Sequence, residues 1–260
     1  VMANISAVVI THNEEDNIKD CLQSISWAEE IIVIDAHSND STVEISRKFT
    51  DKVYLREFDN FSAQKNYGLS KASFDWILSI DADERVSGGL RKEIEEIVKD
   101  PSTEENAFFV KRLNSMYGKF VNFGQPDYQL RLFRKAVGRF EQPVHEKVRF
   151  TGKAGYLKNE LIHYSMKNLS EHLKKLNQYT DFEIQILAEK GVKTDFCYVP
   201  WFLIMKPLLR FVKSYFLMKG FRDGIYGFVL CINAMFLEFF KSAKYWEKHV
   251  TQEVENDNSK

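Results

Sequence analysis

Trp76-Ile77-Leu78-Ser79-Ile80-Asp81-Ala82-Asp83-Glu84 is an apolar run that ends abruptly on two carboxylates spaced two residues apart. Its length fits a buried strand. In an extended D-x-D both carboxylates can turn toward one ligand. Hard oxygen donors suit Mg2+ or Mn2+, ions that keep several waters and bind substrate phosphates rather than sit in an all-protein cage. The alternative is a solvated acidic turn that caps the next helix. The preceding residues decide between the two. Residues 5–10, 31–34 and 53–55 read as three further strands, and residues 15–25, 41–49 and 63–72 carry apolar side chains at helical spacing. Strands separated by helices of about ten residues indicate βαβ units and a mostly parallel sheet. Ligands of such sheets bind beyond the carboxyl ends of the strands. The polar residues gather there: Thr11-His12-Asn13-Glu14 after strand one, Asp35 ending strand two, Asp81-Ala82-Asp83 after strand four. No G-x-G-x-x-G and no P-loop occurs, so neither a dinucleotide fold nor a P-loop nucleotidase is expected.

Beyond the D-x-D, residues 86–100 predict a helix that ends before Pro101. Residues 107–164 read as short strands punctuated by Gly and Pro, an antiparallel extension of the sheet. In Gln129-Leu130-Arg131-Leu132-Phe133-Arg134 the alternation puts Gln129, Arg131 and Phe133 on one face. Arg131 is suited to fork onto a phosphate. Residues 169–190 predict a long helix, with Ser170 as N-cap and Gly191 as its stop.

The chain has 260 residues, 36 Lys+Arg against 37 Asp+Glu, and 44% hydrophobic residues. These figures exclude a disordered chain and a general nucleic-acid coat. Cys21, Cys197 and Cys231 lack C-x-x-C spacing, which implies reduced thiols and neither a disulfide framework nor a zinc site. No basic n-region precedes the first strand, so no signal peptide is expected. The aromatics are uneven: 15 of them lie in residues 196–250, together with eight Lys/Arg and only three Asp/Glu. Two apolar runs there, 196–205 and 225–237, are each too short to span a bilayer. Between them Lys206, Arg210, Lys213 and Lys219 alternate with apolar side chains, as in a helix lying in an anionic membrane interface. The alternatives are a helical hairpin packed on a second copy, giving a homodimer, or on the N-terminal α/β part of the same chain.

Four stretches in order carry a resemblance: Val9-Ile10-Thr11-His12-Asn13-Glu14, Val33-Ile34-Asp35-Ala36-His37-Ser38-Asn39-Asp40-Ser41-Thr42, Lys65-Asn66-Tyr67-Gly68 and the D-A-D. They resemble the inverting glycosyltransferases of family 2. Val144-His145-Glu146 and Lys219-Gly220-Phe221-Arg222-Asp223-Gly224 are similar to lipopolysaccharide inner-core β-1,4-glucosyltransferases. The resemblance implies a GT-A nucleotide-diphospho-sugar transferase fold, α/β with a Rossmann-like, mostly parallel sheet flanked by helices, here with a helical C-terminal extension. The composition along the chain, with this resemblance, divides it into a catalytic domain over 1–195, the basic aromatic extension over 196–250 and a polar tail over 251–260 expected to be disordered.

Thr11, Asn13 and Glu14 then line the nucleotide pocket, with His12 at the family's tyrosine. Asp35 contacts the uracil, while Ala36 and His37 replace the family's second acid and glycine. Lys65 meets the base or diphosphate, and Asp81, Ala82 and Asp83 face the donor. Asp83, Asp81 and His145 are the expected holders of Mg2+ or Mn2+. Inverting transfer needs a base for the acceptor hydroxyl. The resemblance assigns Glu146, with Asp127 and then Glu141 as the next candidates. The segment around Arg131 is similar to the family's Q-x-x-R-W but lacks the tryptophan, which disfavours processive polymer synthesis. The expected reaction takes a hexose, glucose first, from a UDP-sugar to a saccharide on a membrane lipid such as the lipopolysaccharide inner core, at the inner face of the cytoplasmic membrane. The rivals are transfer to a protein or peptide and a non-catalytic nucleotide-sugar-binding scaffold.

Overall fold

The computed structural model describes residues 3–123, 127–141, 147–189, 191–192, 194 and 198–257. The chain divides into two compact units, residues 1–113 with 127–164, and residues 114–126 with 165–260.

In the first unit β1 (Ala3–Thr11), α1 (Ile18–Ser24), β2 (Ala28–Asp35), α2 (Thr42–Ser46), β3 (Val53–Leu55), α3 (Phe61–Lys71) and β4 (Trp76–Asp81) follow the expected βαβ alternation. The first helix begins later than its apolar spacing suggests, because Glu14 accepts the amides of Asn17 and Ile18 in a separate turn. β5 (Glu84–Val86) and α4 (Gly88–Lys99) come next, then β6 (Ala107–Met116), β7 (Lys119–Val121), β8 (Tyr128–Arg134), β9 (Arg139–Glu141), β10 (Lys147–Arg149), β11 (Ala154–Tyr156) and β12 (Leu161–Met166). The sheet order is β3-β2-β1-β4-β8-β6-β12-β5. The first four strands pair in parallel, β8 lies antiparallel to β4 and β6, and β11 adds to β6 in parallel. This is the GT-A-like arrangement, a mostly parallel sheet extended by antiparallel strands.

Why these residues take these positions is visible in the core. β1 and β2 show almost unbroken burial, as a parallel sheet covered on both faces requires. Ile18, Cys21 and Leu22 of α1 join Leu90 and Ile94 of α4 against Val9, Val33, Leu78 and Ile80. Leu69 of α3 joins Phe133 and Phe140 against Val8, Ile34 and Ile77. α3 approaches most closely at Gly68, where an added Cβ would lie 2.4 Å from Val8 Cγ1. Asn66 on the same helix holds both backbone groups of Phe140, accepting its amide at 3.0 Å and donating to its carbonyl at 2.8 Å.

The second unit contains the two-residue Tyr117-Gly118 turn, both at positive φ (53° and 81°), the requirement of a type I′ hairpin. α5 (Leu169–Glu189) is capped by Asn168, whose Oδ1 accepts the Glu171 amide at 2.9 Å, rather than by Ser170. It stops as expected at Gly191, φ 60°. A helical stretch follows from Val199 to Leu217. α6 (Lys206–Val212) lies in its middle, with wider i→i+5 turns on either side. Pro200 and Pro207 lack the amides that a regular ladder needs there. α7 (Gly224–Asp257) begins after a short turn, and Gly227 allows it to pass Gly220, whose carbonyl oxygen an added Cβ would meet at 1.9 Å.

The second unit holds α5 together with the C-terminal helices. Residues 251–257 continue α7. The run 225–237 belongs to a longer helical stretch, Gly220–His249, long and apolar enough by length and composition to cross a membrane. Cys231, Ala234 and Tyr245 of this stretch are buried, while much of its apolar surface is not. Trp201, Ile204, Leu208, Phe216, Leu217 and Ile225 are all exposed, Leu217 at 74%. Lys206, expected on the basic surface, is drawn instead to Glu238 at 3.4 Å. Cys21 and Cys231 are buried, unbridged thiols.

Candidate active site

The registers of β1 with β2 and β4 align Thr11 with Asp35 and Ile10 with Asp81. Thr11, Asp35 and Asp81 therefore stand in a row at the carboxyl edge of three adjacent strands. Asp81 ends β4 and Glu84 opens β5, so Ala82 and Asp83 form the tight turn between them.

That turn is the centre of a charged network. Arg131, on the neighbouring β8 and 3% exposed, donates through Nη2 to Asp81 Oδ2 and to Glu84 Oε1, each at 2.5 Å. Lys65 Nζ of α3, buried, lies 3.1 Å from Asp81 Oδ1 and 5.3 Å from the Phe140 ring centre. Arg112 reaches Glu84 at 3.3 Å and donates to Asp127 Oδ2 through Nε at 2.7 Å. Three cations thus meet three carboxylates. Burial works against the charge on Asp81, yet Arg131, Lys65 and Arg112 outweigh it and hold the carboxyl far below the usual carboxylate range. Burial likewise opposes the charge on Arg131, and Asp81 and Glu84 reverse that and push it up.

Asp127 carries a second consequence. Burial would raise it, but Arg112 and then Gln129, whose Nε2 donates at 2.7 Å, hold it below its ordinary value. Asp127, expected as a candidate base, is ion-paired with Arg112 in this network. Ala82, expected to face the donor, turns into the core at 4% exposure.

The first two loops interlock. Asn13, φ 54°, donates its amide to Ser38 Oγ at 2.8 Å and accepts the Asn39 amide at 2.8 Å. Glu14 donates its amide to Thr42 Oγ1 at 2.8 Å, and the exposed His12 has Nε2 3.2 Å from Asn13 Nδ2. Asp35 is fully buried and gives both carboxylate oxygens to Ser38, one to its amide at 2.8 Å and one to its hydroxyl at 2.5 Å. Asp35, the expected contact of a base, thus also closes the 36–38 turn. His37 within that turn has φ 57°, the conformation a glycine would adopt freely.

His145 and Glu146 lie outside the described residues. The histidine that the structure does bring to the D-A-D is His163, on β12 opposite Glu84, with Nε2 3.3 Å from Asp83 Oδ2. Both side chains are mostly buried, and Tyr164 donates its amide to the Asp83 carbonyl at 2.9 Å. A lone histidine in an alternating strand gives no signal in sequence. Arg112 and Glu84 were missed for the same reason, since their partners are brought in by sheet order. Two buried atoms at this edge, Thr11 Oγ1 and Arg131 Nε, make no hydrogen bond among the described residues. Orphaned donors of this kind fit an incoming polar ligand. No group of three or more His, Cys, Asp or Glu converges as a metal site among the described residues. Asp83 with His163 nevertheless fits a divalent ion that takes its remaining ligands from phosphate and water.

Residues 6–159 match glycosyl transferase family 2. Over 255 residues the chain is 28% identical to the lipopolysaccharide core biosynthesis glycosyltransferase LpsC of Rhizobium meliloti, covering 94% of this chain and 93% of that one. An uncharacterized glycosyltransferase of Rickettsia typhi is 29% identical over 260 residues, 95% of this chain and 88% of the relative. Among solved structures, the mannosyltransferase PcManGT of Pyrobaculum calidifontis, in complex with GDP-Man and Mn2+, aligns with a TM-score of 0.57 at 14% identity. That alignment covers 94% of this chain and 88% of the other, a likeness of fold.

Proposed function

The chain belongs to glycosyl transferase family 2, and from that membership we propose that it moves a hexose from a UDP-sugar to a saccharide on a membrane lipid, with inversion at the anomeric carbon. Glucose is the expected sugar and the lipopolysaccharide inner core the expected acceptor. Full-length similarity to a lipopolysaccharide core glycosyltransferase supports the acceptor class.

The observation that carries the reading is the charge balance at the carboxyl edge. Lys65, Arg112 and Arg131 are already matched by Asp81, Glu84 and Asp127. A diphosphate entering this buried network adds negative charge that these side chains do not offset, and uncompensated buried charge is costly. A divalent ion, Mg2+ or Mn2+, held by Asp83 and His163 would supply that compensation and neutralise the departing diphosphate. Arg131, through its unbonded Nε–H, and Thr11, through its hydroxyl, orient the donor's phosphates and sugar. Asn13 and Glu14 with the 38–42 turn form the nucleoside wall. Glu146 takes the proton of the acceptor hydroxyl on the face opposite the leaving diphosphate.

The exposed aromatic face of the second unit, flanked by exposed Lys213, Lys219 and Arg222, supports a peripheral position on an anionic leaflet. Residues 196–250 serve as this attachment and 1–195 as the catalytic part. UDP release from UDP-glucose should rise when a lipid-linked core saccharide is supplied. Stimulation by a peptide acceptor and by no saccharide overturns the acceptor class.

A further inference from the structure

We propose that Glu84 is the positioning residue of the donor site, holding the D-A-D turn and both network arginines without touching substrate. The proposal rests on the D-A-D being that site.

Glu84 is fully buried. Its Oε2 accepts the backbone amide of Asp81 at 2.9 Å, so the side chain folds back across the turn and closes it. Its Oε1 accepts Arg131 at 2.5 Å and Arg112 at 3.3 Å. One carboxylate therefore fixes three things. The Asp81 amide sets the course of the backbone through Ala82 and Asp83. The guanidinium of Arg131 is pinned between Glu84 and Asp81, and its Nε–H has no hydrogen-bond partner among the described residues. Arg112 is held between Glu84 and Asp127. The backbone of the same residue continues the support, because β5 pairs with β12 at Glu84–His163, the strand that brings His163 to Asp83.

A fully buried carboxylate bonded to one amide and two guanidiniums is compensated because all three donors converge on it. Losing the charge alone releases the arginines, since a neutral amide at this position can still accept from Asp81 but no longer attracts both cations. Arg131 then relaxes onto Asp81 alone, and Asp81 and Asp83 lose their fixed relation. The expected effect is on metal-dependent donor binding, ahead of any general loss of fold.

Glu84→Gln preserves shape and tests this directly. Glu93→Gln is the control, because Glu93 also accepts backbone amides, those of Lys158 and Asn159, at 2.8 and 2.9 Å. Calorimetric titration of UDP in Mn2+ should give at least tenfold weaker binding and a higher Mn2+ requirement for Glu84→Gln, with Glu93→Gln within twofold of the unsubstituted protein. Equal affinity and Mn2+ requirement in Glu84→Gln and the unsubstituted protein would overturn the proposal. If Glu84→Gln does not fold, Arg112→Gln decides: it removes one of the two guanidiniums, and a threefold or greater rise in the Mn2+ requirement supports the hub, while no change overturns it. Failure of the unsubstituted protein to bind UDP with Mn2+ would instead reject the donor-site reading.

Discussion

Asp81 and Glu84 are three residues apart, yet what they do depends on residues some thirty to fifty positions away, Arg112 and Arg131. The D-x-D could be picked out from its own letters because a strand that ends on two carboxylates is unusual. Of the cations that surround it, Lys65 and Arg131 could be named from their own segments, but Arg112 could not, since it is an ordinary arginine until the antiparallel strands bring it in. Asn13 and His37 show the same limit in the backbone. Their positive φ values arise from two loops locking together through Ser38 and Asn39, which local sequence does not reveal. Glu30 offers a prediction at this scale. Burial opposes its charge, but Lys52, Ser6 and Ser73 outweigh burial and hold it at about 2, against 4.5 in a model peptide. A depressed carboxylate stabilises the fold at pH values above its unfolded pKa, and that contribution fades as pH falls toward the folded value. Stability measured by urea unfolding should therefore drop between about pH 4.5 and 2, and drop less steeply in Glu30→Gln. Equal slopes for the two proteins would contradict the assignment.

At the level of elements, the parallel half of the sheet was legible because burial on both faces leaves continuous apolar runs, and β3 at Val53–Leu55 has the expected bounds. β5 was not, because Glu84-Arg85-Val86 is three residues long and two are charged, although all three are buried. The K-N-Y-G segment was legible as a motif, but the structure gives two of its residues packing roles: Asn66 clamps Phe140, and Gly68 lets α3 settle on β1 and β2. Gly68→Ala should destabilise the protein by about 1–3 kcal/mol by overpacking against Val8, read from the midpoint shift in denaturant, and should leave the affinity for UDP in the folded protein unchanged. A neutral substitution would mean that α3 can move outward at no cost.

For the whole molecule, the near-zero net charge conceals a carboxyl-edge network of matched charges in one unit and an exposed aromatic face in the other. Exposed apolar surface on this scale in a folded chain marks an interaction face. Flotation with vesicles rich in anionic lipid should carry the protein upward, and replacing Lys213, Lys219 and Arg222 with Glu should abolish it. A stable dimer in solution with no flotation would assign the face to a second copy instead. The central claim is that the carboxyl edge is a nucleotide-diphosphate site completed by a divalent ion, and the most direct measurement is titration of UDP into the protein with and without Mn2+, repeated with Asp83→Ala. Binding that requires Mn2+ and is lost in Asp83→Ala is the predicted result; binding of equal strength without the ion, or in the substituted protein, would contradict it.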